Sequence, residues 1–305
     1  MKTIFGKGPT VVTKKFRRRL TGDFGDVILT LVVLCSACWD GKSVVPKCAF
    51  VSLLPVRNIF ALFVFLAMGA VSAHAQGNPP FYTDDAGTVA KKHWELDLGI
   101  STEHDRNGDR SWQAPSAGLG YGLTDNLELD YGVPLLIVRP AGESTKSGLG
   151  NSVAGVKWRF FEDNTAKLAV SVNPQVEFDN PTSSRRHGLV ENNTEFLLPL
   201  QVQKSFGEIE TAFNVGRTFH ARESGDVDGW SAGVAAGRKV TERLYLGAEA
   251  YGEAARKFDH GLLLLNLGTL YELNDQVSFS ALLGRGVAGA DRPDFVAFVG
   301  VQLMR

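Results

Sequence analysis

Five histidines follow residue 75: His93, His104, His187, His220 and His260. A hydrolytic site would need a nucleophile, a histidine and an orienting partner converging in space. His220 with Ser224 and Asp226 offers those residue types, but such residues are common in polar connections. The chain has no G-x-S-x-G and no H-E-x-x-H, the spacings that place a nucleophile or a zinc pair. Its three cysteines, Cys35, Cys38 and Cys48, all precede residue 49. The Cys35/Cys38 pair lies in an apolar run without a second pair or a nearby histidine, so it supplies neither a metal site nor a redox pair. The expectation is a non-enzyme with no catalytic residues, no metal site and no cofactor.

The remaining chemistry-bearing residues are charges that alternate with apolar residues: Glu95, Asp97, Glu128, Asp130, Lys157, Arg159, Glu177, Glu195, Glu210, Glu249 and Glu253. Two uses are open to them. They could line a pore, acidic with a basic spot at Lys157 and Arg159, and tune passage by charge. They could instead form cross-lumen ion pairs that fill a narrow barrel. Thr83-Asp84-Asp85 could cap the mouth of such a barrel, plug it, or tether a terminus. Arg185-Arg186-His187 could bind lipopolysaccharide phosphates or a ligand, or be a solvated loop.

The elements that would position these charges are strands. From His93 onward the pattern has a period of two, which sends successive side chains to opposite faces. Trp94, Leu96, Leu98 and Ile100 oppose Glu95, Asp97, Gly99 and Ser101. Leu127, Leu129, Tyr131 and Val133 oppose Glu128, Asp130 and Gly132. Twelve such blocks can be drawn: 93–102, 112–122, 127–138, 151–161, 166–178, 192–206, 209–219, 229–240, 244–255, 262–272, 276–287 and 294–304. Five connections are tight and rich in turn formers: 123–126, 162–165, 207–208, 241–243 and 274–275. The other six are mostly longer and more polar, among them 103–111, 139–147 and 179–191. Short and long connections alternate, as in an outer-membrane barrel with periplasmic turns and external loops.

Three features favour an apolar face turned outward to lipid. Trp94, Phe160, Phe206 and Tyr271 sit at the turn ends of strands, like an interfacial aromatic girdle. The opposite face is rich in Gly, Ser, Ala and charges of both signs, as a wet lumen would be. Strands of this length match a tilted crossing, and lipid requires the sheet to close so that no edge is left unbonded.

Upstream lies a different segment. To Ala75 there are ten Lys/Arg and three Asp/Glu; beyond it, 22 and 30. An acidic body argues against a nucleic-acid partner. Arg57, the apolar stretch Ile59–Val71 and Ala73-His74-Ala75 form the three parts of a secretory signal, with cleavage before Gln76. Residues 1–56 are read as an N-terminal extension whose simplest origin is a start site assigned too far upstream; a long basic leader and a lipoprotein signal at Cys38 are the other readings.

Pro79-Pro80-Phe81-Tyr82-Thr83-Asp84-Asp85-Ala86-Gly87-Thr88-Val89, the strand His93-Trp94-Glu95-Leu96 and the hairpin Gly122–Leu129 resemble a family of bacterial outer-membrane transporters of the "MetA-pathway of phenol degradation" type. Its N-terminal motif corresponds to Thr83, Asp84, Asp85, Gly87 and Thr88. The resemblance implies an outer-membrane barrel that passes small, often aromatic or hydrophobic, molecules. One departure is the end, Leu303-Met304-Arg305, where such barrels commonly finish on an aromatic residue.

The reading is therefore all-β: an antiparallel up-and-down transmembrane β-barrel of about twelve strands over 93–305. A signal peptide (57–75) and an N-terminal periplasmic segment (76–92) precede it. The expected role is an outer-membrane channel or transporter for small solutes. A structural or surface-binding barrel is the alternative, and a barrel enzyme a more distant one. Expected partners are outer-membrane lipid and lipopolysaccharide, the barrel-assembly machinery and a small-molecule solute.

Overall fold

The structure, a computed structural model, describes residues 80–180, 184–190, 194–220, 229–255, 261–290 and 292–305. The extension, the signal and residues 76–79 lie outside the described residues, as do Ser224, Asp226, His260 and the side chain of His220.

Among the described residues the strands are β1 (Trp94–Asp105), β2 (Arg110–Thr124), β3 (Leu127–Arg139), β4 (Lys146–Leu149), β5 (Ser152–Asp163), β6 (Leu168–Val172), β7 (Gln175–Phe178), β8 (Glu195–Phe206), β9 (Ile209–His220), β10 (Gly229–Lys239), β11 (Leu244–Ala255), β12 (Gly261–Asn274), β13 (Val277–Ala288) and β14 (Pro293–Met304). They form one antiparallel sheet in which sequential strands pair, except β4 with β5 and β6 with β7. The sheet closes where β1 pairs with β14, in register from Glu95 with Met304 to His104 with Phe295. Closure leaves no edge in the wall except at the loop-side segment β4, which pairs only with β3 among the described residues.

Twelve strands make up the wall, because two of them are interrupted. β4 pairs with the loop-side half of β3 and β5 with its turn-side half, so the two are successive parts of one strand. The break falls opposite Pro134, whose carbonyl accepts from Gly150 N–H at 2.8 Å. β6 and β7 likewise share the place between β5 and β8. Their break is at Asn173-Pro174, and Asn173 N–H donates to Pro199 C=O at 3.1 Å. Proline lacks the ladder donor, so the pairing must be interrupted or bent at these points. The continuous block expected over 166–178 is therefore split.

All five expected turns are hairpins. Some loop-side connections are shorter than the alternation suggested. β1 and β2 run on to leave only residues 106–109, and Lys146–Leu149, expected within a polar loop, is a strand. Polar residues here satisfy backbone pairing beyond the apolar band, where alternation gives no signal.

The face assignment follows from burial. Leu267, Leu283, Val299, Phe213 and Phe279 are exposed on the outside. Glu128, Lys157, Ser171, Gln201 and Gln302 are buried on the inside. Trp94, Phe160, Phe206 and Tyr271 ring the turn-side exterior, while Phe196, Phe219, Trp230 and Phe295 ring the loop side. An apolar band between two aromatic rings is the surface of a barrel whose solvent is lipid.

Candidate functional site: the lumen and the segment inside it

Residues 80–89 lie inside the barrel. Pro80, Phe81, Thr83, Asp84, Asp85 and Ala86 are all buried although none belongs to a strand. The segment enters past the β2–β3 turn, where Thr88 Oγ1 donates to Asp125 C=O at 2.9 Å. Val89 N–H donates to Glu128 of β3 at 2.9 Å. Further in, Lys157 of β5 donates to Asp84 at 3.0 Å and lies 3.6 Å from Asp85. Gln201 of β8 donates to the same Asp84 oxygen at 2.8 Å. On the far wall Thr83 N–H donates to Glu249 of β11. In the order of the twelve wall strands β3 is third and β11 ninth, so the segment reaches across the full width of the lumen.

Its tip is apolar. Phe81 packs into a cluster with Ala235, Tyr245, Leu264, Leu270, Leu282, Val296 and Phe298. The wall makes room with glycines: a Cβ on Gly268 would stand 2.5 Å from the Phe81 ring, and one on Gly247 3.0 Å. The lumen expected to be wet and charged throughout thus holds a small hydrophobic core. Beside it Tyr82 stacks on Tyr251 with ring centroids 5.1 Å apart. Tyr82 donates to Glu103 at 3.2 Å and Tyr251 to Glu253 at 2.8 Å.

Electrostatically, two carboxylates share one ammonium. Burial pushes the Asp84 carboxyl above the usual carboxylate range, while Lys157 pulls it back. Asp84 Oδ1 is buried with no hydrogen-bond partner among the described residues. Burial also pushes the Tyr82 phenol up, with Glu103 and Glu249 adding to it. Gly87 N–H donates to Asp85 at 2.6 Å, which turns the chain back toward the mouth.

The remaining expected site residues also stand on the inner face. Asp130 accepts from Asn173 at 3.1 Å, and Glu177 from Asn151 at 2.9 Å. Glu249 accepts from Asn266 at 2.7 Å. Arg159 sits at the turn-side rim, donating to Asp125 C=O at 2.8 Å and 3.4 Å from Glu162. The basic spot is therefore divided: Lys157 serves the inserted segment and Arg159 the rim. Glu195 and Glu210 lie toward opposite ends of the wall. Glu95 Oε1, Gln302 Nε2 and Ser280 Oγ, on β1, β14 and β13, are buried without a hydrogen-bond partner among the described residues. Arg185 lies 3.8 Å from Asp179 and is half-exposed.

Thr83, Asp84 and Asp85 are buried within the lumen. Sequence reasoning missed Phe81, Tyr82, Gln201 and Asn266. The signal available was Gly233, Gly247 and Gly268, three glycines at inner-face positions of adjacent strands, which mark a wall that something approaches closely.

No protein-family model matches the chain, and no curated protein matches its sequence. Among solved structures it is similar to an outer membrane channel from Pseudomonas putida F1, at 14% identity and a TM-score of 0.59 over 75% of this chain and 100% of that one. It is also similar to the NanC porin, at 6% identity and a TM-score of 0.51 over 68% of this chain and 98% of that one. These likenesses show the fold.

Proposed function

We propose that this protein is an outer-membrane channel for small solutes whose lumen is occupied by its own N-terminal segment. The observation that carries the reading is the inverted barrel: an apolar exterior around a closed wall of twelve strands with buried polar and charged groups inside. The likeness to an outer membrane channel and a porin supports it. The finer reading, a solute that is aromatic or hydrophobic, rests on the likeness of Thr83, Asp84, Asp85, Gly87 and Thr88 to the phenol-degradation transporters and on the apolar cluster around Phe81.

Planar-bilayer recording of the purified barrel tests the channel. The expected result is small openings in the parent that grow when Asp84 and Asp85 are both replaced by Ala, which removes the segment's ionic hold on Lys157. A folded barrel silent in both forms would defeat the proposal. Export through the signal ending near Ala75 is part of it, and N-terminal sequencing of the mature protein should begin at Gln76.

A further inference from the structure

At the loop-side end of the wall, charge is sorted by face. Glu103, Glu177, Glu195 and Glu253 all stand at inner-face positions of their strands. The arginines of the same zone do the reverse. His104, Arg110 and Arg139 are directly paired across β1, β2 and β3. Their inward neighbours are Glu103, Ser111 and Val138, themselves paired, so the three basic side chains share the outer face. Arg217 is on the outer face of β9, with its guanidinium 5.4 Å from the Phe219 ring centre and 4.7 Å from that of Trp230.

Arg110 and Arg139 are both exposed, and neither side chain makes a hydrogen bond or ion pair with any described residue. Like charges directly opposite on antiparallel strands repel. Two guanidinium forks facing outward, with no carboxylate between them among the described residues, form an anion site that no described residue fills. Beside them, His104 lies 5.7 Å from Phe295 and 6.3 Å from Trp112, ring centre to ring centre. That aromatic layer marks where the wall passes from acyl chains to headgroups.

From this geometry we propose that His104, Arg110 and Arg139 form a docking site on the barrel exterior for the phosphates of lipopolysaccharide in the outer leaflet. The occupant follows from position: the loop end faces outward, and the anionic headgroup there is phosphorylated lipid A. The site is distinct from the loop pair Arg185-Arg186 and needs the membrane orientation of the barrel, not an open lumen.

Native mass spectrometry of the full mature barrel in detergent tests it, with bisphosphorylated lipid A, dephosphorylated lipid A and phosphatidylglycerol as probes. The parent should retain bisphosphorylated lipid A in preference to the other two. The double variant R110Q/R139Q should lose about tenfold or more in retention, the scale of one charge-assisted contact. R110K/R139K, which keeps charge but loses the fork, should fall between. K204Q, on the outer face at the turn side, should bind as the parent does. Heat-modifiable migration confirms that each variant is folded, and the single variants R110Q and R139Q serve if the double one is not. Equal retention by R110Q/R139Q and the parent would overturn the proposal, as would indifference to the phosphates or no retention of lipid A. Bilayer conductance is read separately, so loss of lipid binding and failure of the channel are distinguishable.

Discussion

Lys157 is the residue on which the inserted segment turns. It is fully buried, and two carboxylates of the segment, Asp84 and Asp85, pair with it. Removing one member of a buried ion pair typically costs about 3–5 kcal/mol because the other charge is left without compensation. No cysteine occurs after Cys48, so a single cysteine placed at the buried Ala86 reports on the segment alone. In the Lys157→Met background, maleimide labelling of that cysteine should accelerate by about two orders of magnitude, corresponding to roughly 3 kcal/mol. Asp84→Asn should have a smaller effect, because burial already favours the neutral carboxyl there and Asp85 still faces the ammonium. Labelling in the Lys157→Met form as slow as in the parent would show that the ion pair does not hold the segment. None of this pairing could be read from the chain, where Asp84 and Lys157 are 73 residues apart.

At the scale of the element, each strand carries two environments in one alternating string. β12 shows it plainly: Leu265, Leu267 and Tyr271 are exposed outside, while Leu264, Asn266 and Leu270 are buried within. Leu267 lies midway along its strand and is 67% exposed. A cation at the bilayer midplane on a barrel exterior costs about 2–4 kcal/mol. Leu267→Arg should therefore lower the yield of folded barrel in a lipid refolding assay. Equal refolding of the variant and the parent would contradict lipid on this face. The strand pattern was legible from His93 onward because lipid demands a period of two. The prolines at 134, 174 and 199 were equally visible, but where they break the ladder depends on the register between strands. The short connection at 106–109 was hidden because pairing there runs on past the apolar band.

At the scale of the whole molecule, the wall closes end to end, with Trp94 N–H donating to Arg305 C=O at 2.6 Å and Arg305 N–H donating back at 2.9 Å. A closed barrel has no fraying edge, so unheated protein should migrate ahead of boiled protein on SDS gels; a band that never shifts would contradict closure. Leu303, outward near the end of β14 and paired with Leu96, continues the apolar band to the closing seam. The sequence by itself determined the strand number, the alternation of turns and loops, and which residues share a face. Those properties are local, set by side-chain alternation and turn chemistry along neighbouring residues. Only the tertiary structure decided what the inner face does. The charges read as a pore lining meet a segment that precedes the first strand, and that meeting depends on closure bringing β3, β5, β8 and β11 around one axis. Alternation says which way a side chain points, and only the closed wall says what it finds there.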